Sequence, residues 1–179
     1  MKLDIPHTGA GIDLLGGVMR NAIRSIINMP EFNIGAFSFL LHFVWEAVQA
    51  PAYAGMIEMN HWDGIKLCMS ATFGDVGFAL TAFIVTSIVT RSRYWLFGPK
   101  LWHVMLYLTV GVALTVSFEY YYTNISLRWT YSELMPLVPP FGTGLSPLLQ
   151  WIIVPLLALG ISRRQIAGAI KIVSPVSIQ

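Results

Sequence analysis

Four stretches of this chain are apolar for long enough to cross a bilayer, and each carries a polar group that such a crossing penalises. A membrane core takes about 20 residues of apolar helix. Candidate spans run over residues 34–54, 67–90, 101–123 and 146–162. Glu46 interrupts the first, Asp75 the second, Glu119 the third and Gln150 the fourth. An ionisable group at that depth is costly, which makes it a functional-site hypothesis by default. Composition agrees with the spans. Only 11% of the 179 residues are charged, against about a quarter in a soluble domain. The fold class expected is all-α: a polytopic membrane four-helix bundle in a single domain over 1–179, with an N-terminal interfacial helix and an outer capping loop.

The flanking segments follow from pattern. Residues 1–11 read as irregular, with no apolar signal-peptide core after Lys2. Over 12–28, Leu15, Val18, Ala22 and Ile26 alternate with Arg20, Asn21, Arg24 and Ser25 at helical spacing. A short basic amphipathic helix of this kind lies in the membrane interface; an ordinary surface helix is the plainer alternative. Pro30 should end it. Gly98-Pro99 marks a turn, and Ser146-Pro147 reads as a helix cap followed by proline at the first position. Arg163, Arg164 and Lys171 suggest a second interfacial segment.

Charge sets the topology. With the N-terminus inside, four crossings return the C-terminus inside. Lys2, Arg20, Arg24, Arg91, Arg93, Lys100, Arg163, Arg164 and Lys171 then all face the cytoplasm, leaving only Lys66 and Arg128 outside. The expected location is a bacterial inner (plasma) membrane. The basic residues mark one membrane face and carry no nucleic-acid pattern.

The polar groups can be placed by depth. His42, Glu46, Gln49 and Tyr53 share one face if the first span is helical throughout. At a rise of about 1.5 Å per residue, Glu46 and Asp75 both lie roughly 12 Å below the outer surface, with Glu119 and Gln150 about one turn higher. Cys68 and Thr72 share the Asp75 face, and Thr115 and Tyr122 flank Glu119. Pro51 and Pro155 free the carbonyls of Ala47 and Trp151, which then need side-chain or water partners. A polar cavity in the outer half is therefore expected. Loop 124–145, aromatic and proline-rich, should fold back over it, with Trp129 and Tyr131 at headgroup level. Arg128 is a charge partner for Glu119 or Glu133, or an anchor to lipid phosphate.

These groups suit acid–base chemistry. Two carboxylates in a dry site are pushed to different proton affinities, so one donates while the other accepts. The catalytic candidates are Glu46, Asp75, Glu119 and His42, with His42 orienting Glu46. Trp45, Gln49, Thr72, Trp129, Tyr131, Gln150 and Trp151 would contact substrate. The plainer reading makes the same carboxylates hydrogen-bonded glue between helices. His42 and Glu46, four residues apart, suit two ligands of one metal. The multi-histidine pattern of a membrane metal centre is absent, so no metal is expected there. His103 reads as interfacial and His61 as solvated. A single cysteine excludes disulfide frameworks and multi-cysteine metal sites. No nucleotide or dinucleotide motif is present, and no cofactor is expected.

His42-x-x-x-Glu46, followed by Cys68-Met69-x-x-Thr72-x-x-Asp75 on the next helix, is similar in residue types to the sterol-isomerase and sigma-2-receptor superfamily. The likeness covers the first two spans. It implies a small helical membrane protein whose buried acids surround a lipophilic cavity.

The function expected is a membrane-embedded enzyme, an isomerase or cyclase, acting on a lipid or isoprenoid-like molecule. Its partners would be membrane lipid and a lipophilic small molecule. Two other classes compete: a non-catalytic accessory subunit, with a membrane protein partner or in a homo-oligomer, and a proton or metal-ion carrier. The apolar inner half argues against the carrier.

Overall fold

The computed structural model describes residues 9–173 and is 76% helical. Its helices are α1 (Gly9–Ile27), α2 (Pro30–Gln49), α3 (His61–Thr90), α4 (Leu101–Tyr120) and α5 (Leu145–Val173). A two-stranded ribbon, β1 (Leu137–Val138) with β2 (Thr143–Gly144), lies in the loop before α5.

Local chemistry sets these boundaries, and several differ from the sequence reading. Residues 1–8 of the stretch expected to be irregular lie outside the described residues; residues 9–11 are helical. Pro30 does not end α1. It occupies the first turn of α2, where its missing N–H is no loss. Asn33 Nδ2 donates to the carbonyls of Ile27 (2.5 Å) and Met29 (2.9 Å), which fastens that turn to the end of α1. Pro51 stops α2 instead of kinking it. Ala50–Ala52 tightens into a 3₁₀ turn and Tyr53 is extended, so Tyr53 leaves the helical face that holds His42, Glu46 and Gln49.

Asn60 caps α3 by accepting from the Trp62 N–H at 2.9 Å. Arg91 closes it in the left-handed region, φ 54°, its N–H reaching the Ile88 and Ser87 carbonyls. The 30 residues of α3 span about 45 Å, so the helix starts well before residue 67. Ser146 does not cap α5 from outside but lies within its first turn. Arg163 and Arg164 continue α5 and do not form a separate segment.

Helix α2 packs on α3 and α5, and α4 packs on the same two. Their shared core holds Ile34, Ala79, Ala82, Phe83, Trp95, Tyr107, Trp151 and Leu159. Small residues permit the close approach. A Cβ on Gly111 would lie 2.3 Å from the Trp151 ring, so only glycine lets the indole rest against α4.

Among the described residues, three helices are long and apolar enough to cross a membrane: His61–Thr90, Leu101–Ile125 and Leu145–Ala169. Helix α2 is not among them, because Glu31, Asn33, His42, Glu46 and Gln49 dilute its apolar run. It is nonetheless two-faced. Ile34, Ser38, His42 and Gln49 are buried, while Leu40, Val44 and Val48 are exposed on the opposite side.

Loop 124–145 turns back onto the chain that follows α2. Tyr53 and Tyr131 form an antiparallel bridge. The Ala54 N–H donates to the Thr130 carbonyl, and the Ser132 N–H donates to the Ala52 carbonyl, both at 2.9 Å. This covers the end of the helices where the polar groups converge.

Candidate functional site

The site is built one helical turn at a time from α2. Residues four and seven apart lie on one face, so His42, Glu46 and Gln49 turn together toward α5. Gln150, in the second turn of α5, meets all three. Its Nε2 lies 2.8 Å from His42 Nδ1, 3.0 Å from Glu46 Oε1 and 3.2 Å from Asp75 Oδ2. Its Oε1 accepts from Gln49 Nε2 at 3.2 Å, and Gln49 Nε2 also donates to Glu46 Oε1 at 2.8 Å. Trp151 Nε1 donates to Asp75 Oδ1 at 3.2 Å. Three helices thus share one polar network.

Donor arithmetic constrains the network's protonation. An amide nitrogen carries two hydrogens, yet Gln150 Nε2 faces three acceptors. One further proton, on His42, Glu46 or Asp75, completes the set. His42 is fully buried, with Nδ1 3.3 Å from Asp75 Oδ2 and no partner for Nε2 among the described residues. A proton on Nδ1 reaches Asp75. A proton on Nε2 reaches nothing.

A second node lies nearer the covering loop. Glu119, at the last turn of α4, accepts from Tyr53 Oη at 3.3 Å, Trp129 Nε1 at 3.4 Å and Tyr131 Oη. Tyr131 Oη in turn accepts from the Gly144 N–H at 3.0 Å. Burial, reinforced by the neighbouring Glu119 carboxylate, raises the proton affinity of the Tyr131 phenol above its ordinary range. The phenol therefore stays a donor, and Glu119 serves as the anchor of the loop.

Both nodes border one cavity of about 450 Å³, within the size range of small-molecule sites. Glu46, Gln49, Asp75, Glu119, Gln150 and Trp151 supply its polar side, and Met56, Leu67, Phe78 and Phe118 supply apolar wall. Trp129 and Arg128 also line it.

Several residues stand elsewhere than the sequence suggested. His42 pairs with Asp75 and Gln150, not with Glu46, and Gln150 Nε2 bridges the two. Thr72 does not line the cavity; its hydroxyl donates back to the Cys68 carbonyl at 2.7 Å. Trp45 is off the wall too, its Nε1 donating to Ser146 Oγ at 3.1 Å while Ser146 donates to Gln49 Oε1 at 2.7 Å. Tyr131 stands behind Glu119 and not on the wall. Arg128 has no carboxylate within ion-pair distance among the described residues, neither Glu119 nor Glu133. Its guanidinium lies instead over Tyr122 (5.3 Å) and Trp129 (5.8 Å). Gln150 shares the level of Glu46 and Asp75. Among the described residues, no three His, Cys, Asp or Glu side chains are placed to hold a metal ion, His42 and Glu46 included.

Pattern reading missed Gly111 and Ser146. A lone glycine in an apolar helix is the signal for the first; Ser146 carried none beyond its capping propensity. Comparison with protein-family models, curated proteins and solved structures finds no match for this chain, so the likeness to the sterol-isomerase superfamily rests on residue types alone.

Proposed function

We propose that this protein is a membrane-embedded enzyme that performs acid–base chemistry on a lipophilic molecule held in the cavity. The observation that carries this reading is the contact of Glu46, Asp75 and His42 through one amide, at the wall of a cavity with apolar sides. Asp75 receives Trp151 Nε1 on one oxygen and faces His42 and Gln150 on the other. That arrangement fixes the carboxyl group in place. Glu46 takes both its amide donors on Oε1. In the reaction one carboxyl donates its proton to the substrate and the other removes one, so the site ends with the proton count it began with. An isomerisation needs no more than this pair of transfers. Trp151 borders the cavity beside Phe78 and donates to Asp75, and its ring is the aromatic group offered to a positive charge that develops on the substrate.

In this reading α2 is the fourth span of a membrane four-helix bundle. Its polar stripe is covered by α3 and α5, and Leu40, Val44 and Val48 face lipid. Both termini lie on the cytoplasmic side of a bacterial inner membrane, α1 rests in the interface, and the cavity opens toward the outer leaflet.

The test is a lipid profile of cells expressing the protein against cells expressing Glu46→Gln or Asp75→Asn. Positioned acid–base groups contribute about 10²–10⁴ in rate, so each variant should lose the product lipid while remaining folded in detergent. A profile unchanged by both substitutions would sink the proposal.

A further inference from the structure

Arg128 lines the cavity but takes no part in the proposed proton transfers. Among the described residues it is the one lysine or arginine on the cavity wall. Lys66 pairs with Asp63 at 2.6 Å. Arg128 has no such partner among the described residues, and Glu119 on the same wall already takes three donors.

The chain also goes to some trouble to hold Arg128 in place. After α4 it widens into a π turn over Tyr121–Ile125. Leu127 then adopts φ 50°, a left-handed conformation that a side chain disfavours. This reversal brings the Arg128 N–H to the Tyr122 carbonyl at 2.9 Å. The guanidinium lies over Tyr122 and Trp129, whose rings meet at a tilt with centroids 4.4 Å apart. Trp129 is itself pinned through its N–H to Glu119. With no carboxylate in ion-pair reach among the described residues, the guanidinium keeps the fork of N–H donors that grips phosphate or carboxylate oxygens two at a time.

We infer that the cavity takes an amphiphile with an anionic head, a phosphate or a carboxylate, gripped by Arg128, with its apolar body running inward toward Glu46 and Asp75. This rests on the proposed lipophilic-substrate site and gives it a polarity. The head stays at the mouth, the chain lies along Met56, Leu67, Phe78 and Phe118, and the reacting carbon reaches the carboxylates. The charged group fixes how far in the molecule goes and so which bond is presented.

Thermal unfolding of the whole protein in maltoside micelles, with added ligand, tests this. The probes are dodecyl phosphate, dodecanol, dodecyltrimethylammonium and inorganic phosphate. A ligand that binds the folded state raises Tm in proportion to its occupancy. Dodecyl phosphate should bind about tenfold more tightly than dodecanol, the gain expected of one charge-assisted contact. Arg128→Gln should erase that preference and leave dodecanol binding unchanged. If Arg128→Gln fails to fold, Arg128→Lys, which keeps the charge but not the fork, should show a reduced preference. A preference unchanged by both substitutions, or tightest binding of the ammonium, overturns the inference. Inorganic phosphate stabilising as well as dodecyl phosphate overturns the amphiphile in favour of a free anion. Equal binding of all three alkyl probes removes only the role of Arg128. Binding of none removes the lipophilic cavity reading as well.

Discussion

His42 Nδ1 lies 3.3 Å from Asp75 Oδ2, joining α2 to α3 beneath the cavity. The same nitrogen is 2.8 Å from Gln150 Nε2. An imidazole, a carboxylate and an amide on three helices therefore compete for the same few protons, and stability and chemistry meet at these atoms.

Gln150 should be the most sensitive polar position. Gln150→Leu removes the donor that faces His42, Glu46 and Asp75, leaving Glu46 with Gln49 and Asp75 with Trp151 and His42. Each lost hydrogen bond is worth about 0.5–1.5 kcal/mol, and about 1.5–3 kcal/mol where a charged group takes part. A clear fall in the unfolding temperature in detergent is expected, and a variant as stable as the parent would contradict the network.

Tyr107→Phe should behave in the opposite way. The Tyr107 hydroxyl is fully buried and has no partner among the described residues. Removing an unpaired buried hydroxyl is neutral or stabilising. The unfolding temperature should hold or rise; a fall of several degrees would reveal a hydrogen bond to an ordered water or ligand.

Gly111→Ala should be disproportionately harmful for one methyl group. The new Cβ meets the Trp151 ring at 2.3 Å, and overpacking of this kind costs about 1–3 kcal/mol. The displaced indole also loses its bond to Asp75. A double-mutant cycle with Trp151→Ala should show the two losses to be strongly non-additive.

The covering loop should loosen in alkali. The folded protein holds the Tyr131 proton more tightly than the unfolded chain, whose phenol titrates near about pH 10. This contribution is whole below that pH and declines as pH rises above it. Hydrogen exchange over 127–144 should therefore accelerate above about pH 10. Tyr131→Phe should exchange fast at neutral pH and lose that part of the pH dependence.

Much of the scaffold was legible in one dimension. Three apolar runs of sufficient length appear as helices because backbone groups in an apolar setting must satisfy one another. Spacing alone put His42, Glu46 and Gln49 on one face. Proline and the loop chemistry were harder to read. Pro30 and Pro51 both bear on helix ends, and nothing in their immediate neighbours says whether a proline starts, stops or bends a helix. Tyr53 seemed to extend the stripe of α2 by arithmetic. It reaches Glu119 only because the helix ends first and the chain turns.

The sequence by itself determined that buried carboxylates must exist, since Glu46, Asp75 and Glu119 sit in segments too apolar to leave them in water. Only the tertiary structure decided their company: Asp75 with His42, Glu46 with Gln150 and Gln49, Glu119 with the loop tyrosines. The physical reason is range. Periodicity reports which face a residue occupies on its own helix, within a few residues. Partners separated by more than a hundred residues, such as Gln150 and His42, are chosen by how whole helices pack, and here that packing turns on a glycine, Gly111, giving way to an indole.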